Sequence, residues 1–321
     1  MSDSSNTEKL RMLRKADLFP DSVHCLGLAA PSGPVSAAAY RNAVAFLRQL
    51  GLSVICGESV LKGDELSFLS APAVDRAADL NALIHNSAVD GIYCLRGGYG
   101  SVHLPEFIDW NTLKKRRLPV IGYSDITALH MVMTARNAGI PVSAAMALTL
   151  EKESAGVSFR RNFRRALQLA FYPGQGDFRR IAWLTPYQGT GIPESPLICG
   201  NLTVAASLCG TGCLPSFSGR LILLEDIGEP VRKLDRALMQ LKLSGVFRDC
   251  AGVILGNFKQ CGSAAERDIL FRRFAAELTM PVFGGLHYGH CSRSLSFVCG
   301  EQALVRDGGL FLRDPFSGKR S

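Results

Sequence analysis

Short apolar runs separated by stretches of helical spacing fill the first half of the chain, and this alternation constrains the fold more than any other feature. His24–Ala29, Ser53–Cys56, Gly91–Leu95 and Pro119–Gly122 read as strands. Between them, Ala37–Leu50 (stopped by Gly51) and Val74–His85 read as helices. A third helix runs from Asp125 to about Asn137, ahead of the breaker Gly139-Ile140-Pro141. A β-α-β-α order of this kind implies a mostly parallel sheet with helices on both faces.

The alternation returns after an interruption. A helix is expected over Ser158–Phe171, and Tyr172–Pro196, rich in Pro, Gly and Thr, reads as a connection with a hairpin near Arg180–Leu184. Beyond it, a helix follows Asn201. Arg220–Leu224, Gly252–Leu255 and Pro281–Phe283 read as strands, Val231–Leu243 and Ala264–Leu278 as helices, and Asp307-Gly308-Gly309 as a hairpin turn. With 321 residues the length favours two domains. The expected division is an N-terminal tail over 1–18, a parallel-sheet domain over 19–171, a linker over 172–196 and a smaller C-terminal α/β domain over 197–321.

The first residues contain no apolar signal core, and no run approaches the ~18 apolar residues of a membrane span. The chain is therefore expected to stay in the cytoplasm, with no membrane partner. Several of its ten cysteines, Cys56 and Cys94 among them, sit inside apolar runs, which suits buried thiols in a reducing compartment. Cys209 and Cys213 have neither a second cysteine pair nor a nearby histidine, so no metal site is expected. The formal charge of +8 is concentrated at Lys114–Arg117 and Arg160–Arg165. No nucleic-acid-binding signature accompanies these clusters, and they read as solvated helix faces.

The segment that promises chemistry is Gly122-Tyr123-Ser124-Asp125-Ile126-Thr127, where a strand gives way to a helix. A serine on such a turn has its hydroxyl lifted out of the sheet, and the Asp125 N–H supplies half of an oxyanion hole. Equally, Ser124 or Asp125 is a favoured helix N-cap. Arg96-Gly97-Gly98-Tyr99-Gly100 follows another strand, and its paired glycines allow close backbone approach, to an oxyanion or to a phosphate. Of six histidines, His130 falls on another helix face from Ser124, and His24 and His85 offer little. His103 follows the glycine loop. His287 and His290 lie in a glycine-rich loop after a strand. Glu225 is the first acid after the apolar run Leu221–Leu224.

Taken together, these segments resemble the LD-carboxypeptidase family, which includes murein tetrapeptide carboxypeptidases and microcin-C resistance peptidases. The matching segments are Ala30-Pro31-Ser32-Gly33, Arg96–Gly100, Gly122–Thr127, Gly200-Asn201-Leu202-Thr203, Leu224–Pro230 and Gly289-His290, in family order over nearly the whole chain. The sequence departs from the family pattern at Cys199, Ser294 and Val298, where glycine, asparagine and proline are usual. The resemblance implies a triad of Ser124, His290 and Glu225, with an oxyanion hole near Gly97, Gly98 and the Asp125 N–H. It implies an N-terminal domain like that of class I glutamine amidotransferases, a homodimer, no cofactor, and hydrolysis of an L,D peptide bond that releases D-alanine from a muropeptide. Arg96, Arg232 and Arg236 are candidates for pairing with a substrate carboxylate. A microcin-type aminoacyl-nucleotide peptide is the second expected substrate, with Trp183 able to stack on its base or to anchor a hairpin. A muropeptide-binding module without catalysis is a third reading.

Overall fold

The structure is a computed structural model, and it describes residues 13–173 and 176–317. The expected tail over 1–18 lies outside the described residues as far as position 12. Its end is part of the core, since Leu18 and Phe19 are fully buried.

The first half follows the pattern read from the sequence. In chain order it comprises β1 (Cys25–Ala29), α1 (Ala37–Gln49), β2 (Ser53–Cys56), α2 (Ala73–His85), β3 (Gly91–Cys94), α3 (Trp110–Arg116), β4 (Pro119–Gly122), α4 (Thr127–Arg136), β5 (Ile140–Ser143), α5 (Ala147–Glu153) and α6 (Val157–Phe171). The five strands are parallel, in the order β5-β4-β3-β1-β2. Their side chains divide by alternation. Tyr93, Ile121 and Val142 join the core formed with α1, α5 and α6, whereas Ile92, Cys94 and Val120 join the core under α2, α3 and α4. Burial on both faces explains why these strands read as unbroken apolar runs.

The second half comprises β6 (Asp177–Trp183), β7 (Thr185–Gln188), β8 (Ile192–Asn201), α7 (Leu202–Ser207), β9 (Leu221–Ile227), α8 (Val231–Leu243), β10 (Gly252–Lys259), α9 (Ala264–Ala276), β11 (Val282–Gly284), β12 (Phe297–Val298), β13 (Gln302–Arg306) and β14 (Gly309–Asp314). Seven of these strands and β8 at their centre make one sheet in the order β6-β14-β13-β8-β9-β10-β11-β7. The short β12 instead leaves this half and pairs antiparallel with β5, completing the first sheet.

Two expectations are corrected here. Residues 177–201 are sheet rather than a connection, and Arg180–Leu184 is no hairpin. β6 pairs with β14 and β7 with β11, at opposite edges. Only Leu184 separates them, so the sheet curls until its edges meet at that buried residue. Proline and glycine density marked this segment as irregular, but β6 contains neither residue and β7 only Pro186, with Gly189 and Gly191 lying between strands; the partners lie far away in sequence. The second sheet has eight strands and the first six.

In the basic clusters Lys114, Lys115, Arg117 and Arg161 are exposed, as expected of solvated faces, but Arg116 and Arg165 prove structural. Arg116 caps the end of α2, donating to the carbonyls of Ile84 at 2.7 Å, Asn86 at 2.6 Å and Val89 at 2.7 Å. Arg165 is buried on α6 and pairs with Glu301 at 2.6 Å, tying the two halves together. Removing one partner of a buried pair of this kind costs about 3–5 kcal/mol.

His130, expected to be structural, is buried inside α4 and donates from Nε2 to the Val120 carbonyl of β4 at 3.0 Å. Burial pushes its pKa from the ordinary 6.5 down to about 4. The folded chain therefore resists a proton that the unfolded chain accepts. This contribution is fully present above pH 6.5 and is lost as pH falls through about 4. It amounts to about 3 kcal/mol at most. Urea unfolding between these pH values is expected to show a shallower fall in stability for His130→Asn than for the wild type.

Candidate active site

The chemistry-bearing residues all stand at the carboxyl ends of parallel strands. Ser32 follows β1, Gly97 follows β3 and Ser124 follows β4, three neighbours in the first sheet. Asn201 and Glu225 pair with each other at the ends of β8 and β9, and His290 follows β11. The carboxyl edges of the two sheets face each other, which is where open α/β sheets place their sites.

Ser124 has φ +62°, in the left-handed region. Such a conformation in a residue other than glycine costs of order 1–3 kcal/mol and persists only when its surroundings enforce it. Here the 3-10 turn Ser124–Ile126 enforces it from one side, with Ile126 fully buried. From the other side, the buried Asp125 carboxylate accepts from the Ser32 hydroxyl at 2.6 Å and the Ser101 N–H at 2.8 Å. Ser101 in turn donates its hydroxyl to the Asp125 carbonyl at 2.5 Å. Helix capping is therefore not what the Ser124 and Asp125 side chains do. The Asp125 side chain faces inward, and Ser124 makes no side-chain cap bond.

The serine hydroxyl lies 2.9 Å from His290 Nε2, and His290 Nδ1 lies 2.7 Å from Glu225 Oε2. Glu225 is 1% exposed. Burial raises its pKa, against the lowering effect of the imidazole hydrogen bond. Oε2 also accepts the His290 main-chain N–H at 3.2 Å. A carboxylate only accepts, so Nδ1 carries the proton, and Nε2 presents its lone pair to Ser124. The approach depends on Gly289, at φ +112°, where a Cβ would stand 2.7 Å from the Glu225 Cβ. Ser294 accepts the Gly289 N–H at 2.9 Å and steadies the turn. His287 bonds the Ser292 carbonyl through Nε2 at 2.8 Å and does not enter the site.

The glycine loop meets the serine directly. A Cβ on Gly97 would lie 2.9 Å from Ser124 Cβ and 3.1 Å from its Oγ. Gly98, at φ +122°, packs against Gly33. Among the described residues neither the Gly98 N–H nor the Asp125 N–H donates to the chain, so both remain available to an oxyanion. Arg96 is exposed beside them, held by the carbonyls of Pro34 at 2.9 Å and Gly97 at 3.2 Å. Arg232 and Arg236 lie exposed on α8, outside this constellation.

Several supporting residues escaped the sequence reading. Arg76 is 1% exposed and donates to the carbonyls of Pro31, Ala71 and Gly100, joining the loops after β1 and β3. Its signal was an arginine on the apolar stripe of α2. Asn201 donates to the carboxylates of Asp226 at 2.9 Å and Glu225 at 3.4 Å. Its N–H reaches the Thr127 hydroxyl at 2.9 Å across the two halves, and Gly200 makes room, since a Cβ there would stand 2.5 Å from Thr127. Trp183 is neither a buried anchor nor near the triad. It is 62% exposed on edge strand β6, under the Arg180 guanidinium at 3.6 Å.

A cavity of about 50 Å³ adjoins the imidazole, walled by Tyr123, Ser143, Glu153, Tyr288 and Cys291. A cavity of about 660 Å³ opens at the amino end of β5 and touches none of the triad. Among the described residues no group of three or more His, Cys, Asp or Glu is placed to hold a metal ion. Nor is any helix long and apolar enough to cross a membrane.

Known proteins resemble this chain in sequence and in fold. The LD-carboxypeptidase N-terminal domain matches residues 26–144, and the LD-carboxypeptidase C-terminal domain matches residues 194–305. The murein tetrapeptide carboxypeptidase of Pseudomonas aeruginosa is 31% identical over 297 residues, covering 87% of this chain and 93% of that protein. A probable murein peptide carboxypeptidase of Bacillus subtilis is 26% identical over 286 residues, covering 87% and 88%. In fold, the chain is similar to the muramoyltetrapeptide carboxypeptidase of Oxalobacter formigenes, with TM-score 0.74, 23% identity and coverage of 91% and 99%. It is also similar to the microcin C7 self immunity protein MccF, with TM-score 0.77, 20% identity and coverage of 94% and 99%.

Contact between the glycine loop and the serine makes Gly97→Ala a sharp test of the site. The added methyl pushes on Ser124 Cβ, which the strained turn cannot move. A loss of about 10²-fold in peptidase kcat/KM is expected, together with a lower thermal midpoint, since overpacking of this kind costs about 1–3 kcal/mol.

Proposed function

The chain belongs to the LD-carboxypeptidase family, and from that premise we propose that it is a serine carboxypeptidase releasing the terminal D-alanine of murein tetrapeptides in the cytoplasm, as a homodimer, during wall recycling. The observation that carries this reading is the unbroken hydrogen-bonded relay from Ser124 through His290 to Glu225, at 2.9 Å and 2.7 Å. A parallel sheet with its serine on the turn after a strand also fits the expected likeness to class I glutamine amidotransferases.

In this mechanism Ser124 Oγ attacks the carbonyl of the L-centred residue while His290 Nε2 takes its proton. Glu225 keeps Nδ1 protonated and stabilises the imidazolium that forms. The oxyanion is met by the Asp125 N–H and by the Gly98 N–H of the glycine loop. His290 then hands its proton to the leaving D-alanine amine, and an ester forms on Ser124. Water, activated by the same imidazole, hydrolyses the ester. Arg96, with its guanidinium held only by carbonyls, is placed to meet the substrate carboxylate.

D-Alanine release from a purified disaccharide tetrapeptide tests the reading. Wild type is expected to release it, and Ser124→Ala to lower the rate by roughly four to six orders of magnitude. Glu225→Gln is expected to lower it by about 10⁴-fold through loss of the productive tautomer. Equal rates in wild type and Ser124→Ala would refute the assignment. No release from the wild type would move the search to aminoacyl-nucleotide peptides, and then to muropeptide binding without turnover.

A further inference from the structure

All ten cysteines are free thiols, yet two of them touch. Cys199, fully buried in β8, and Cys299, half-buried just after β12, hold their sulfurs 3.7 Å apart. Their place in the fold gives the contact meaning. The Cys299 N–H bonds the Pro141 carbonyl of β5 at 3.0 Å, in the first sheet. The next residue, Gly300, bonds the Leu197 carbonyl of β8 at 2.7 Å, in the second sheet. Cys299 is therefore the point where the chain crosses back from one sheet to the other, and Cys199 stands on the far bank. The Tyr288 and Ser143 hydroxyls, 2.8 Å apart, lie close enough to the Cys199 thiol to influence its ionisation. Tyr288 lies two residues ahead of His290 and walls the small cavity beside it.

We propose that Cys199 and Cys299 form a peroxide-oxidisable dithiol whose disulfide cross-links the two sheets and slows the active site. Cys299 lines the cavity of about 660 Å³, which gives hydrogen peroxide access to its sulfur. The hydrogen bond from Cys199 lowers the Cys299 pKa, whereas burial raises that of Cys199. Position gives the two thiols different roles: Cys299, which lines the cavity, is the one that meets peroxide, and Cys199, fully buried behind it, is the one that resolves. The Cys299 thiolate attacks one peroxide oxygen, and the O–O bond breaks. A sulfenic acid forms on Cys299, and the departing hydroxide takes up a proton as water. The Cys199 sulfur then attacks the Cys299 sulfur, the S–OH bond breaks, and the second hydroxide leaves with the Cys199 proton as water. Two thiols and one peroxide give one disulfide and two waters. Closing from 3.7 Å to a bond of about 2.05 Å draws the Cys199 sulfur away from the Tyr288–Ser143 pair, and so disturbs the support of the His290 turn.

The test uses the full chain, reduced, desalted and treated with hydrogen peroxide, in a Cys291→Ser background that removes the thiol next to His290. Peptide mapping without reductant is expected to find Cys199 joined to Cys299 before any other cysteine is oxidised. The thermal midpoint is expected to rise by several degrees and to return with dithiothreitol, and Cys299→Ser and Cys299→Ala are expected to show neither change. A different first disulfide, accumulation of sulfinic acid on Cys299 without a cross-link, or an unchanged midpoint would overturn the cross-link. The effect on the active site rests on the function proposed above and is read separately. D-Alanine release is expected to fall on oxidation and recover on reduction, and to be unaffected by peroxide in Cys299→Ser. An unchanged rate in cross-linked enzyme would overturn the coupling to the site. A reduced enzyme that releases no D-alanine would count against the proposed function, leaving the peptide map to decide the dithiol.

Discussion

The hydrogen bond between the Glu225 carboxylate and the His290 imidazole is the contact around which the C-terminal half is arranged. An ionised carboxylate at 1% exposure loses most of its hydration, a cost of several kcal/mol unless the chain replaces the lost water. The chain supplies three donors in its place, two from His290 and one, longer, from Asn201. Asp226 next door is saturated by Thr203 and Asn201. Two adjacent buried acids are thereby kept in different roles, one holding the start of α7 and one holding the imidazole. Gly289 follows from the same constraint, because any side chain there would occupy the space of Glu225.

The N-terminal half solves a matching problem with a second buried carboxylate. Its strained serine needs a floor, and the floor is Asp125, whose carboxylate gathers Ser32 and Ser101 beneath the turn. Arg76 lies in the same buried network, and attraction to Asp125 supports its charge against desolvation. Three loops from three parallel strands are thus fastened to one another before a substrate arrives. In the proposed mechanism, a site fastened in this way would not reorganise when charge develops on the oxyanion, and electrostatic catalysis depends on that.

Much of this was legible because local pattern and global fold agree. Gly122 to Thr127 announced a strand, a sharp turn and a helix, and the structure builds all three. Asp307-Gly308 announced a two-residue turn, and both residues adopt positive φ between β13 and β14. What escaped has a common cause, which is pairing at long range. β6 and β7 have partners more than ninety residues away, and nothing local announces that pairing. β12 has two residues and exists only because β5 offers an edge. Asp125 drew notice for its N–H, yet its carboxylate carries more of the structure. Arg116 and Arg165 looked like solvated charge because a spacing rule cannot see a helix end or a glutamate brought close by tertiary folding.

The division of the triad between two halves raises the question of what keeps its distances short. A hinge at this boundary would open the relay, since 1 Å between Ser124 and His290 separates a hydrogen bond from none. The boundary is instead sewn at several points. β12 is lent to the first sheet, Arg165 grips Glu301, Thr127 accepts from Asn201, and Ser143 meets Tyr288. The last two flank the nucleophile and the imidazole at close range. The seam is therefore strongest where the chemistry needs it, and the two halves act as one rigid frame around the serine. The same seam gives the Cys199–Cys299 contact its leverage, because a covalent change there is felt by groups that also set the position of His290.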